Sequence, residues 1–127
     1  MDKKPLVLIV EDSPTQAKSI AAMLENHRVQ TIIASDGLQG LCAASEQQPD
    51  LVILDVNLPQ MDGYQVCRRL KRDKNTAHIP VIMLTVSDSS EATVQGLEVG
   101  ADDYIPKDNW ATENLFTSLR AFLPIDQ

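Results

Sequence analysis

The run Leu51-Val52-Ile53-Leu54, followed at once by Asp55, constrains the fold of this chain more than any other stretch. Continuous apolar and largely branched residues are typical of a strand that is buried on both faces inside a parallel sheet. Such a strand places Asp55 at the carboxyl edge of the sheet, where ligands bind in open α/β folds. Asp55 could equally be an ordinary acid that opens a turn, helped by Pro59 and by Asp62-Gly63. The rest of the sequence distinguishes between these two interpretations of Asp55.

Further segments with strand character alternate with helical segments along the whole chain. The strand segments are buried runs at 6–10 and 79–84, a more polar edge strand at 29–34, and a short last strand at Tyr104-Ile105 that Pro106 confines to a sheet edge. The helices are predicted from Pro14 to about Asn26, after Asp36-Gly37, after Gly63, from about Asp88 to Val99, and around 115–123. Five alternations with short connections predict an α/β fold, a parallel sheet covered by helices on both faces.

Apolar spacing also predicts which helical side chains face the core. The predicted inward positions are Leu38, Leu41, Cys42 and Ala44 in the second helix, Val66, Cys67 and Leu70 in the third, and Leu115, Phe116, Leu119, Phe122 and Leu123 in the last. The basic run Arg68, Arg69, Lys71, Arg72 and Lys74 is expected to be a solvated helix face. Both cysteines are expected to be small core residues, and no disulfide is predicted.

Length and composition narrow the class of protein. With 127 residues and 43% hydrophobic content, the sequence predicts one domain over 1–127. Its apolar runs are too short for a membrane span or a signal peptide, so a soluble cytoplasmic chain is expected. The formal net charge of −7 argues against a nucleic-acid surface, because affinity for phosphate backbones depends on lysine and arginine. A protein partner is therefore expected, and no membrane partner.

The carboxyl ends of the parallel strands should bring several reactive side chains to one edge of the sheet. These are Glu11, Asp12, Asp55 and Thr85, with Lys107 just after the last strand. Carboxylates crowded in one cleft favour a hard divalent cation, and Mg²⁺ fits better than Ca²⁺, which needs more oxygen ligands. A carboxylate beside Mg²⁺, an ammonium and a hydroxyl can accept a phosphoryl group, giving an aspartyl-phosphate.

Four segments of the sequence resemble the receiver domain of two-component response regulators, and the match covers nearly the whole chain. They are Val10-Glu11-Asp12-Ser13, the stretch from Leu54 to Gly63, Leu84-Thr85, and Gly100-Ala101-Asp102-Asp103-Tyr104-Ile105-Pro106-Lys107. The resemblance implies a flavodoxin-like (βα)5 fold, a doubly wound parallel sheet of five strands in the order 2-1-3-4-5.

The resemblance also implies roles for individual residues. Asp55 would accept phosphate from a phosphohistidine of a sensor histidine kinase. The ligands of Mg²⁺ would be Asp12, Asp55 and the Asn57 carbonyl, with Glu11 nearby through water. Lys107 and Thr85 would bind the phosphoryl oxygens, Tyr104 would change rotamer as the signal moves outward, and Asn57 and Ser87 would influence how fast the phosphate is lost.

Three departures from the family pattern keep alternatives open. Val86 follows the switch threonine where the family usually has a small residue, and Asp108 follows Lys107 where the family has proline. Thirdly, only Pro124-Ile125-Asp126-Gln127 follow the last predicted helix, so we expect the protein either to act through a partner or to be one domain of a longer regulator. A constitutive protein-binding pseudo-receiver, whose surface ignores phosphate, is the alternative function. A flavin-binding protein of the same sheet order is disfavoured because no Ser/Thr/Gly-rich phosphate loop follows the first strand.

The remaining expectations concern partners and the last loop. A sensor histidine kinase or phosphotransfer protein would supply the phosphoryl group, and the last two helices with the last strand would bind a downstream protein. The chain itself is expected to be a monomer or transient dimer with only weak self-phosphorylating and self-dephosphorylating activity. The Lys107–Asp108 peptide bond is expected to be trans, because a cis bond before a residue other than proline costs about 2.5 to 4 kcal/mol. Trp110 is expected to report the site by fluorescence.

Overall fold

A computed structural model describes residues 4–85, 99–106 and 111–123. It contains a five-stranded sheet and four helices within those ranges. The strands are β1 (Leu6–Val10), β2 (Gln30–Ala34), β3 (Leu51–Asp55), β4 (Val81–Thr85) and β5 (Asp103–Pro106), and the helices are α1 (Pro14–Glu25), α2 (Gly37–Gln47), α3 (Gly63–Arg72) and α4 (Ala111–Phe122).

The sheet has the order β2-β1-β3-β4-β5, and every strand pair is parallel. This confirms the predicted α/β fold and the 2-1-3-4-5 order of a flavodoxin-like sheet. It also confirms that the polar second strand and the proline-containing last strand lie at the two edges. The fully buried β3 and β4 lie inside the sheet, where continuous apolar runs are expected.

Helices cover both faces of the sheet and bury two apolar clusters. One cluster contains Leu8, Leu54, Val66, Leu70 and Met83, and lies beneath α2 and α3. The other lies beneath α1 and α4 and contains Ile9, Leu24, Ile53, Ile82 and Leu119. Alternate residues of one strand therefore serve opposite layers, as the pleat of a strand requires.

The α2 helix packs against the sheet through small residues, so part of its predicted apolar stripe is wrong. Its buried residues are Gly37, Gly40 and Ala44. A Cβ on Gly40 would lie 2.8 Å from Cγ2 of Val10, so the helix backbone approaches the sheet closely at this point. The larger Leu38 and Cys42 lie on the outer side, and Leu38 is 57% exposed. Only Cys67 of the two cysteines is a core residue.

The N-terminus of α3 is fixed against the end of β3. Asp62 and Gln65 form a capping box, in which Asp62 Oδ1 accepts the Gln65 N–H at 3.0 Å and Gln65 Oε1 accepts the Asp62 N–H at 3.2 Å. The Gly63 N–H donates to the Val56 carbonyl at 2.9 Å. A Cβ on Gly63 would lie only 2.4 Å from the Asp55 carbonyl oxygen, so glycine is required for this contact.

The amphipathic prediction for the last helix is confirmed at Leu115, Leu119 and Leu123, which are buried. Phe116 packs partly against the cluster beneath α1 and α4, and its ring centroid lies 4.3 Å from that of His27, with the two rings tilted by 53°. Phe122 is 38% exposed, so its assignment to the core face is wrong, although it lies three positions after the buried Leu119.

Within the described ranges, none of the helices has the length and apolar content needed to cross a membrane. The helix predicted at 88–99 lies outside these ranges for all but its last residue. Gly100, predicted as its C-cap, has φ of +92°, a conformation that glycine adopts without steric cost.

Candidate functional site

Three carboxylates meet at the carboxyl edge of the sheet, where β1 and β3 end. Glu11 and Asp12 follow β1, and Asp55 is the last residue of β3. Each offers an oxygen, and these oxygens all lie within 4.8 Å of one another, so the group could hold a metal ion. The β1–β3 register explains the meeting, because Val10 pairs with Leu54 and the next residue on each strand is an acid.

Two of these carboxylates are almost completely buried. Glu11 is 3% exposed and Asp55 is 4% exposed, whereas Asp12 is exposed to solvent. Burial makes the charged form of a carboxylate costly, and neighbouring like charges add to that cost. The cluster therefore has the donor atoms and the excess negative charge that suit a hard divalent cation.

Backbone N–H groups hold the two buried carboxylates in place. Asp55 Oδ1 accepts the N–H of Asn57 at 3.1 Å, and Glu11 Oε2 accepts the N–H of Ser13 at 3.5 Å. Ser13 in turn caps α1, with Oγ accepting the Gln16 N–H at 3.4 Å and Pro14 at the first helical position, as predicted. The loops after β1 and β3 thus fix the acids through their own backbones.

Thr85 and Tyr104 lie on one face of the sheet near this edge. Thr85 ends β4 and is buried, and it pairs with Pro106 of β5. Met83, two residues earlier on β4, pairs with Tyr104. Because side chains alternate along a strand, Met83, Thr85 and Tyr104 share the face that α3 covers. The strand register thus brings both predicted switch residues to the same layer.

Tyr64 is a residue at this layer that sequence reasoning missed. Its hydroxyl lies 3.3 Å from the Tyr104 hydroxyl, and either group could be the donor. Both rings are partly buried against the cluster beneath α2 and α3. Burial, followed by the hydrogen bond to Tyr104, raises the pKa of Tyr64 well above its ordinary value, so the phenol stays neutral. The available signal was an aromatic residue directly after Asp62-Gly63.

Several predicted residues lie outside the described parts of the chain. They are Val86, Ser87, Lys107, Asp108 and Trp110. The structure therefore brings together Glu11, Asp12 and Asp55, places Asn57 beside Asp55, and sets Thr85 and Tyr104 in one layer. The contact of Lys107 with phosphoryl oxygens, the isomer of its peptide bond to Asp108 and the fluorescence of Trp110 stay predictions.

The sequence of this chain is similar to those of known proteins. Residues 7–120 match the family model described as response regulator receiver domain. Protein PilH of Pseudomonas aeruginosa is 41% identical over 101 residues, which cover 80% of this chain and 84% of that protein. The DNA-binding dual master transcriptional regulator RpaA of Synechocystis is 40% identical over 119 residues, covering 94% of this chain and 49% of RpaA. The chain thus spans about half the length of RpaA.

A solved structure repeats the fold. The receiver domain of sensor histidine kinase PA1611 from Pseudomonas aeruginosa, determined with a magnesium ion coordinated in the active-site cleft, superposes with a TM-score of 0.85 at 28% identity. The superposition covers 94% of this chain and 98% of that domain. With its sheet order, its acidic edge and a family match across residues 7–120, this chain belongs to the receiver domains of two-component response regulators.

Proposed function

We propose that this receiver domain is a phosphorylation-dependent signalling switch in which Asp55 accepts a phosphoryl group. The donor would be the phosphohistidine of a sensor histidine kinase or phosphotransfer protein. The observation that carries the proposal is the meeting of Glu11, Asp12 and Asp55 at the carboxyl edge of a buried parallel sheet. Asp55 is the carboxylate of this group that ends the central strand, and its position is fixed by the Asn57 N–H.

The carboxylate cluster fits Mg²⁺ by its chemistry. Its donors are oxygens, it has few carboxylates, and one of them, Asp12, is open to solvent, so the ion could keep several waters. Glu11, Asp12, Asp55 and the Asn57 carbonyl are the residues that would hold it, with Glu11 acting through water. When bound, the ion would neutralise negative charge on the phosphoryl oxygens and on the acids.

The transfer itself is a displacement at phosphorus. A carboxylate oxygen of Asp55 forms a new bond to phosphorus, the bond from phosphorus to the histidine nitrogen breaks, and its electron pair returns to the imidazole. The acyl phosphate is later lost when water attacks phosphorus and the carboxylate leaves. The chain's own contribution is positioning, so only weak self-phosphorylation from small donors and weak self-dephosphorylation are expected.

Other residues would read the presence of the phosphoryl group. Thr85 lies buried at the end of the strand next to β3, so a small shift of its hydroxyl towards the phosphoryl group would open space on the face that it shares with Tyr104. Lys107 would contribute an ammonium to the phosphoryl oxygens. Tyr104 would then change rotamer and alter the surface of β5, α4 and the helix predicted at 88–99, where a downstream protein would bind the monomer or transient dimer.

A labelling experiment tests the acceptor. The protein is incubated with Mg²⁺ and ³²P-labelled acetyl phosphate, and incorporation is followed for the wild type and Asp55→Asn. We expect label on the wild type, none on Asp55→Asn, and release of the label by hydroxylamine, which cleaves acyl phosphates. Glu46→Gln removes an exposed acid of α2 away from the site and should label normally. Label that persists on Asp55→Asn would refute the assignment.

A further inference from the structure

We propose that Tyr64 is a positioning residue for Tyr104, and that its hydroxyl stabilises the Tyr104 side-chain position in which the two hydroxyl oxygens lie 3.3 Å apart. The inference rests on the proposed function, because it assigns a partner to the residue proposed to change rotamer. It concerns α3, a helix outside the proposed output surface, which comprises β5, α4 and the helix predicted at 88–99.

The contact joins two elements that are distant in sequence. Tyr64 is the second residue of α3 and Tyr104 is the second residue of β5, and their hydroxyl oxygens are 3.3 Å apart. Each ring also packs against the apolar cluster beneath α2 and α3. A rotation of Tyr104 about its side-chain bonds would carry its hydroxyl away from Tyr64. The hydrogen bond therefore exists in one position of the Tyr104 ring and is lost in others.

Tyr64 belongs to the first turn of α3, which is held against the end of β3, the strand that carries Asp55. The capping box of Asp62 and Gln65 fixes the first turn of α3 around it. Its neighbour Gly63 donates to the Val56 carbonyl and lies too close to the backbone of Asp55 to tolerate a side chain. A displacement of the Asp55–Val56 backbone would move Tyr64 as well. One end of the tyrosine pair is thus tied to the site that would be phosphorylated.

The Tyr64 phenol is also suited to hold a hydrogen bond across the physiological pH range. Like any tyrosine it keeps its proton near neutral pH, and burial and the contact with Tyr104 raise the pKa of Tyr64 further. The net effect of a neutral hydrogen bond on an equilibrium is about 2- to 10-fold. Such a contribution shifts the equilibrium of a two-state switch but does not fix it in one state. The free energy of this hydrogen bond is smaller than that of the charge-assisted interactions that a phosphoryl group would make.

Tyr64→Phe tests the inference, because it removes the hydroxyl and keeps the ring. The phosphoryl mimic is beryllofluoride with Mg²⁺, and its apparent affinity is measured by titration. The chain has only two tyrosines, so ¹³C labelling of tyrosine rings gives one set of signals for each, and Tyr64→Phe leaves Tyr104 alone. We expect the Tyr104 signals of the free protein to shift in Tyr64→Phe, and the affinity for beryllofluoride to change about 2- to 10-fold, rising if the contact favours the unphosphorylated form and falling if it favours the phosphorylated one.

A double-mutant cycle separates positioning from a general effect on structure. In the Tyr104→Phe background the contact between the two hydroxyls is already missing, so Tyr64→Phe should change the affinity by less than it does in the wild type. Unchanged affinity and unchanged Tyr104 signals in Tyr64→Phe, or an equal change in affinity in the Tyr104→Phe background, would overturn the inference. Wild-type protein that fails to bind beryllofluoride, or Asp55→Asn that binds it as well as wild type, would refute the proposed function and the inference with it.

Discussion

The ammonium of Lys71 lies 2.9 Å from Oδ2 of Asp102, and the same carboxylate oxygen accepts the N–H of Val81 at 2.8 Å. Lys71 also donates to the carbonyl of Ile79 at 2.7 Å. The stem of this lysine lies against Gly100, where an added Cβ would be 3.1 Å from Cγ of Lys71. One side chain therefore joins the end of α3 to the start of β4 and to the turn that precedes β5.

Replacing Lys71 with methionine should destabilise the protein. The change keeps most of the apolar stem but removes the donor to Ile79 and the charge partner of Asp102. Because both side chains are partly open to solvent, the expected loss is about 1 to 2 kcal/mol in the free energy of unfolding. Urea denaturation followed by circular dichroism measures it.

Arg68→Met is the matched control for Lys71→Met. It removes a charge of the same sign from an exposed position on the same helix, and should change stability by no more than about 0.5 kcal/mol. Equal effects of the two substitutions would mean that Lys71 is only another charge of a solvated helix face.

Replacing Gly63 with alanine should disturb both stability and the carboxylate cluster. The added Cβ would lie 2.4 Å from the carbonyl oxygen of Asp55 and 2.7 Å from Cα of Val56. Both are backbone atoms, which cannot move aside as a side chain can. Overpacking of this kind typically costs about 1 to 3 kcal/mol. We expect the variant to melt earlier than wild type and to bind Mg²⁺ more weakly, as measured by thermal melting and by titration.

Gly37→Ala controls for the loss of a buried glycine. Its closest contact, at 2.7 Å, is with Cγ2 of Val66, the end of a side chain. It should lower stability but leave the affinity for Mg²⁺ close to that of wild type. An unchanged Mg²⁺ affinity in Gly63→Ala would show that the helix start does not position Asp55.

Removing the charge of Asp12 should have opposite effects with and without metal. In EDTA, Asp12→Asn relieves repulsion with Glu11 and Asp55, so the melting temperature should rise by a few degrees. In millimolar Mg²⁺ the wild type should gain stability by binding the ion and the variant should gain much less. Scanning calorimetry in both buffers measures the difference. A variant that Mg²⁺ stabilises as strongly as wild type would exclude Asp12 as a ligand.

The fold and the acidic cluster follow from short-range patterns in the sequence. Continuous apolar runs identify buried parallel strands, and parallel strands deliver their following residues to one edge, which brings Asp12 and Asp55 together by topology alone. Thr85 could be predicted for the same reason, because it also ends a buried strand.

Contacts that depend on the three-dimensional path of a side chain could not be predicted in this way. The basic run predicts that Lys71 faces solvent like its neighbours, because periodicity does not show that a long stem turns back onto a carbonyl. The contact between the hydroxyls of Tyr64 and Tyr104 joins residues 40 positions apart in the sequence, and it depends on where α3 lies relative to β5. The exposure of Leu38 follows from close packing through Gly40, which a hydrophobic pattern does not encode.

The two cysteines should differ sharply in reactivity. Cys42 is exposed on α2, whereas Cys67 is fully buried in α3 and its Sγ lies 3.5 Å from the carbonyl of Val99. Burial raises the pKa of Cys67 from 9.0 to about 11, and only the thiolate reacts with a disulfide reagent. At pH 8 we expect one thiol per native molecule to react with Ellman's reagent and two in denaturant. Two fast-reacting thiols in the native protein would contradict the burial of Cys67.

The raised pKa of Cys67 also predicts how stability depends on pH. Above pH 9 the unfolded thiol loses its proton while the folded thiol keeps it until about pH 11, so the unfolded state binds fewer protons and stability falls between these values. The full contribution is present below pH 9, and about 2 kcal/mol should be lost by pH 10.5.

Other groups titrate in the same range, so the measurement is the difference between wild type and Cys67→Ala in urea denaturation at pH 8.5 and 10.5. Cys67→Ala should be less stable at pH 8.5, because it leaves a cavity, but its deficit should shrink at pH 10.5. A deficit that stays constant over this range would show that the Cys67 thiol does not resist ionisation in the folded protein.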